Sequence, residues 1–186
     1  MGTNSKYDVI LADPPWRYTG GGADSRKYHN AYPFMTIEEL RVLPVKALTN
    51  NNTVLFMWVV EWINPKDYIS VMEAWGFSYR TRAWVWIKSN RNGFGFWQGM
   101  GYYTKANPED CLLGVMGKMP VADRSILSLI YAPVGAHSKK PAEQYNKIDR
   151  MYPNTKKLEL FARSKQRGWD AWGNEIISDI EVDYGN

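Results

Sequence analysis

Continuous apolar runs, more than alternating ones, punctuate this chain. Residues 7–12 (Tyr-Asp-Val-Ile-Leu-Ala) read as a short buried strand. Residues 53–60 (Thr-Val-Leu-Phe-Met-Trp-Val-Val) are the strongest strand signal, apolar on both faces and therefore central in a sheet covered on both sides. Further strand signals fall at 77–88, 110–116 and 127–132, and 156–162 makes the final strand. Helix signals lie between them. Thr36 with Glu39 three residues on forms a capping box, Asn64-Pro65 opens a second helix that Gly76 ends after Trp75, and Pro141 opens a third running to about Met151. Alternation of strand and helix predicts an α/β class: a Rossmann-like, mostly parallel sheet with helices on both faces, in one domain over residues 1–186.

Two intervals carry neither period. Residues 19–30 are polar and glycine-rich, and without a Gly-Lys-Ser/Thr ending they read as a segment able to close over a ligand, not as a phosphate loop. Residues 91–107 interleave glycines with large aromatics and cations, a composition suited to a substrate-recognition loop, with an oligomer contact as the alternative. The strand at 77–88 puts Arg80, Arg82, Trp84, Trp86 and Lys88 on one face. Two readings stand for that face: a nucleic-acid surface, or a solvated basic face whose tryptophans pack under a helix.

Composition narrows the chemistry. Nine Trp and 12 Tyr with a net charge of +4 suit a polyanionic partner without requiring one. The single cysteine, Cys111, excludes an internal disulfide and reads as a core thiol, and with His29 and His137 as the only histidines no zinc spacing exists, so no metal is expected. No apolar run approaches membrane-spanning length, and the chain is expected to be soluble, cytoplasmic and without a membrane partner.

Asp13-Pro14-Pro15-Trp16 follows the first strand directly, at the strand end where open α/β sheets bind ligands. The prolines stiffen the turn and keep its carbonyls out of a helix ladder. An aromatic amine is a poor nucleophile because its lone pair is delocalised into the ring. The Asp13 carboxylate and the Pro14 carbonyl could each accept one N–H, turning the nitrogen toward tetrahedral geometry, while Trp16 stacks on the base.

The chain resembles the N6-adenine methyltransferases that include the catalytic subunit of the eukaryotic messenger-RNA adenosine methyltransferase. The landmarks are Asp13-Pro14-Pro15-Trp16, Tyr32 in an aromatic-proline turn, Leu55 to Val59, Trp75-Gly76-Phe77, Trp86-Ile87-Lys88, Glu109-x-Cys111-Leu112-Leu113-Gly114, Lys140-Pro141, Glu159 to Arg163, and Gly173-Asn174-Glu175. Its compact length is similar to the bacterial or phage DNA-modifying branch, which implies a bacterial host cell. The resemblance implies S-adenosylmethionine as cofactor, DNA adenine as target, and a circularly permuted strand order with the target-amine strand first. It implies catalytic roles for Asp13, Pro14, Pro15, Trp16 and Tyr32, and cofactor contacts from Asp13, Lys140, Arg163, Asn174 and Glu175. Substrate contacts are expected from Trp16, Tyr28, His29, Tyr32, Lys88, Arg91, Trp97, Tyr102 and Lys105, and a homodimer is possible. The rival readings are RNA adenosine as target, a glutamine side-chain amide as target, and a non-catalytic nucleic-acid-binding subunit of the same fold.

Overall fold

The computed structural model describes residues 6–17, 34–101, 103–135 and 139–182. One seven-stranded sheet organises them: β1 (Tyr7–Ala12), β2 (Thr49–Val59), β3 (Ser78–Ser89), β4 (Glu109–Met116), β5 (Leu129–Pro133), β6 (Lys157–Leu160) and β7 (Asp170–Trp172), in the order β5-β3-β4-β2-β1-β6-β7. Among the described residues three α-helices cover it, α1 (Ile37–Val42), α2 (Pro65–Ala74) and α3 (Glu143–Met151), with a short 3-10 turn at Val45–Leu48. The architecture is the α/β, Rossmann-like one expected of a methyltransferase fold.

The predicted caps form. Thr36 accepts the Glu39 amide at 3.2 Å while Glu39 accepts the Thr36 amide at 2.7 Å, closing the capping box of α1. Asn64 accepts the Lys66 amide at 3.0 Å ahead of Pro65. Gly76 ends α2 at φ 91°, where the Phe77 amide donates to Met72 and the Gly76 amide to Glu73, a Schellman closure that favours glycine.

β2 is central, as its apolar run predicts. Leu55, Met57 and Val59 enter one core with Val71, Met72 and Trp75 of α2. Val54, Phe56 and Trp58 enter the other with Ile148 of α3. Cys111 lies in that second core as a fully buried thiol, its pKa pushed well up by burial.

Three features depart from the sequence reading. Strand and helix do not alternate throughout: β3 and β4 are joined by 90–108 without a helix, so the chain returns as an antiparallel strand, and β4 pairs antiparallel with both β2 and β3 while the remaining pairings are parallel. The final strand is β7, not the one ending near Ala162. Third, Trp84 and Trp86 do not share an exposed basic face with Arg80 and Arg82. Both indoles are buried, Trp84 stacked on Phe56 at 5.1 Å, because only the second half of β3 runs through the core on the α3 side. The packed-tryptophan reading is the correct one.

Candidate active site

Parallel pairing carries the C-terminal ends of β1, β2, β3, β5 and β6 to one edge of the sheet, and antiparallel β4 brings its first residue, Glu109, to the same place. The turn after β1 is braced on three sides. The Trp16 amide donates to the Pro14 carbonyl at 2.8 Å, the Met35 amide to the Pro15 carbonyl at 2.9 Å, and the Trp16 indole N–H to the Trp58 carbonyl at 2.9 Å. Trp16 is therefore a buried anchor, 3% exposed, and not the open stacking face expected from sequence. Its ring sits in the apolar core. The Pro14 carbonyl spends one of its two lone pairs inside the turn.

The turn holds Asp13 against Lys140, whose ammonium lies 2.7 Å from each carboxylate oxygen. Lys140 also stands 3.2 Å from Glu109 Oε2, and Lys88 stands 2.6 Å from Glu109 Oε1. Carboxylate and ammonium thus alternate Asp13, Lys140, Glu109, Lys88, all largely buried. Burial disfavours the Lys140 charge, but Asp13 and Glu109 outweigh it and hold its pKa above the ordinary lysine value. Burial likewise pushes the Glu109 carboxyl up, and Lys140 with Lys88 overcomes that to leave it below its ordinary value. Lys140 and Glu109 are each held in the charged form by the opposite charges beside them.

A narrow cleft runs from Asp13 past Trp58, Gln144, Tyr145 and Glu159 to Arg163. Gln144 is fixed by the Trp58 indole N–H at 2.8 Å. Glu159, on β6, accepts from the Tyr145 hydroxyl at 2.9 and 3.1 Å. Burial, aided by the Asp13 charge, raises the Glu159 pKa to about 7, against smaller opposing effects of Tyr145 and Lys139. The loop beyond β6 is held close by Gly173, where a Cβ would come within 2.1 Å of the Ala162 carbonyl oxygen. Phe161 takes a left-handed φ of 61° there with its ring edge-on to Trp172, placing its backbone strain on the cleft wall.

Glu159 makes a testable prediction. Its folded pKa near 7 exceeds the ordinary 4.5, so between those values the folded state binds the proton that the unfolded chain has released. Stability from this group is present below pH 4.5 and lost as pH rises to about 7, by about 3 kcal/mol. Glu159→Gln is expected to flatten that slope and to raise Tm at pH 8; melting curves of both proteins across pH 5–8 check it, and parallel slopes would refute it.

The other expected site residues divide. Arg163 lines the cleft and faces Glu175 at 3.8 Å, while Asn174 and Glu175 are exposed on the turn after β7. Lys88 is committed to Glu109 and to the rings of Trp86 and Trp97 at 5.3 and 5.1 Å, so it props the foot of the loop at 91–107. Arg91 and Lys105 are exposed on that loop and Trp97 is half-buried at its foot. Tyr28, His29, Tyr32 and Tyr102 lie outside the described residues. The sequence reading names Glu109 and Glu159 as landmarks of the resemblance without counting them among the site residues, and it does not single out Gln144 or Tyr145. The available signal was an acid at each end of an apolar strand, but only the antiparallel turn of β4 shows that Glu109 and Glu159 reach one edge.

A more open hollow of about 340 Å³, lined by Ala83, Val121, Asp123, Arg124, Ile126 and Met151, lies toward the opposite edge. Asp123 there is already saturated by Ser125 and Arg150, so it offers no comparable chemistry. Among the described residues no helix is long and apolar enough to cross a membrane, and no group of three metal-ligating side chains occurs.

Residues 7–175 match the family described as MT-A70. The type II methyltransferase M.MunI of Mycoplasma is 35% identical over an alignment spanning 95% of this chain and 81% of that protein. The human N(6)-adenosine-methyltransferase catalytic subunit METTL3 is 30% identical over 92% of this chain but only 28% of its own length. The human N(6)-adenine-specific methyltransferase METTL4 is 28% identical over 96% of this chain and 39% of its own.

Proposed function

Because this chain belongs to the MT-A70 family of methyltransferases, we propose that it transfers a methyl group from S-adenosylmethionine to the N6 amino group of adenine in DNA. The observation that carries this is the Asp13 carboxylate, held on a braced proline turn at the mouth of a cleft whose far wall is Glu159 and Arg163.

The residues present fit the cofactor. Lys140 and Asp13 set opposite charges side by side, the complement of an amino acid's carboxylate and ammonium. Glu159 and Arg163 are suited to ribose hydroxyls farther along the cleft, with Asn174 and Glu175 beyond them. When bound, S-adenosylmethionine supplies an electrophilic sulfonium methyl group. The protein's own work is positioning. A carboxylate has about four acceptor sites, so Asp13 can keep Lys140 with one oxygen while the other accepts an amine N–H and turns the lone pair outward. Glu109 holds Lys140 from its other side, so the ammonium stays satisfied when Asp13 turns to the amine. The bulk of Trp58 and Phe161, which line the cleft, would limit water at that end.

The DNA reading rests on the resemblance to the compact bacterial or phage branch, and the type II methyltransferase M.MunI is matched over 81% of its own length. RNA adenosine is the second reading, supported by the adenosine methyltransferase relatives at 30–33% identity. Incubation with labelled donor and defined DNA and RNA pools, followed by nucleoside digestion and mass spectrometry, is expected to give N6-methyladenine from DNA. Product from RNA alone would overturn the substrate choice.

A further inference from the structure

The loop joining β3 to β4 begins with a turn whose construction exceeds what a connection needs. The Gly93 amide donates to Asn90 at 2.8 Å, the Asn90 amide to Gly95 at 3.3 Å, the Asn90 side-chain amide to the Phe94 carbonyl at 2.8 Å, and the Phe94 amide to Asn92 Oδ1 at 3.0 Å. Gly93 and Gly95 adopt φ of 82° and 69°, a left-handed region that L side chains rarely enter, so both glycines are dictated by the turn. They also strip the tip of neighbours. Phe94, between them, is 79% exposed. Phe96 differs: its ring packs edge-on against Tyr131 at 6.2 Å. An apolar ring held in water on a stiff, cross-linked turn adds nothing to the fold.

This tip belongs to the active edge. β3 runs parallel to β1 through the antiparallel intermediary β4, so residue 90 leaves the sheet on the same side as Asp13. The foot of the loop is tied to the catalytic carboxylate by the row Lys88, Glu109, Lys140, Asp13, and the Trp97 amide donates to Lys88 at 2.9 Å. Arg91 is exposed beside the tip, the charge a phosphate backbone favours.

We propose that Phe94 is an intercalating wedge that enters duplex DNA and fills the space vacated by the adenine extruded into the site. The inference rests on the DNA reading above. Extrusion of a paired base costs unstacking, and an apolar side chain inserted between base steps repays part of it. A rigid turn suits this use because the ring arrives already ordered and little conformational entropy is lost on insertion. The wedge is needed only where there is a stack to open. It therefore separates duplex from single-stranded substrate, which a general nucleic-acid contact does not.

The experiment compares wild type, Phe94→Ala and Phe94→Leu on three DNA substrates of one sequence: matched duplex, duplex with an abasic site opposite the target, and single strand. Phe94→Ala is expected to lower kcat/KM on matched duplex by roughly 30-fold, to regain most activity on the abasic duplex, and to stay within about threefold of wild type on single strand. Phe94→Leu retains most duplex activity. In parallel, 2-aminopurine at the target position should brighten on binding wild type and stay quenched with Phe94→Ala. Unchanged activity on matched duplex, or an equal loss on duplex and single strand, would overturn the wedge. So would wild type acting on single strand alone, which leaves the DNA reading standing. Loss of a wild-type oligomer in Phe94→Ala, seen by light scattering with activity lost on every substrate, would instead assign the tip to a chain–chain contact. A wild type inactive on all DNA removes the DNA reading and the wedge together.

Discussion

The Asp13→Asn protein is expected to fold, to bind the donor more weakly and, even at saturating donor, to transfer methyl at least about 1,000-fold more slowly than wild type. Asparagine keeps the shape of the side chain but replaces one acceptor oxygen by a donor and removes the charge. An amine N–H then meets either an N–H or a weaker acceptor, and the nitrogen lone pair stays delocalised into the ring. The fold should persist because Lys140 retains Glu109 at 3.2 Å and the turn is braced by backbone and indole bonds that do not involve the Asp13 side chain. Single-turnover rates at saturating donor, with a thermal melt alongside, check this. A folded variant within tenfold of the wild-type rate would remove Asp13 from the mechanism.

Lys140→Met is expected to have the largest combined effect. Methionine fills the space without the charge, leaving Asp13 and Glu109 as buried carboxylates that formerly shared one ammonium. Breaking such an arrangement from one side costs about 3–5 kcal/mol in other proteins, and about 3 is expected here because Lys88 still holds Glu109 at 2.6 Å. The sign of the pH response follows. Wild-type Glu109 has a lowered carboxyl pKa, so its pairing contributes stability above the ordinary carboxylate range that is lost as the solution is acidified. In the variant burial opposes the Glu109 charge with one cation fewer beside it, so stability is expected to recover as pH falls from 8 toward 5. Denaturant melts across that range test it, and calorimetric titration with S-adenosylmethionine should show affinity reduced at least about tenfold. A variant with wild-type donor affinity would separate Lys140 from the cofactor's amino-acid end.

Local signals were legible where they rest on a few adjacent residues. The caps at Thr36 and Asn64, the Gly76 closure and the two-faced burial of β2 appear where their sequence patterns put them. Trp84 and Trp86 were ambiguous because alternation gives the parity of a face and not whether a helix covers it. Trp16 misled for a related reason: an indole three residues from a carboxylate at a strand end reads as a stacking surface until its N–H is seen bonded to the Trp58 carbonyl inside the core.

Adjacent residues set the turn that presents Asp13. Asp-Pro-Pro-Trp after an apolar strand contains its own physical reason, since proline geometry and a neighbouring carboxylate are local properties. Tertiary structure alone decided what surrounds that carboxylate. Glu109 and Glu159 are far from Asp13 in the chain, and they join it because β4 runs against its neighbours while β6 pairs with β1. The charge on Lys140 and the elevated proton affinity of Glu159 follow from that meeting, because pKa depends on burial and on neighbouring charges that no local pattern encodes.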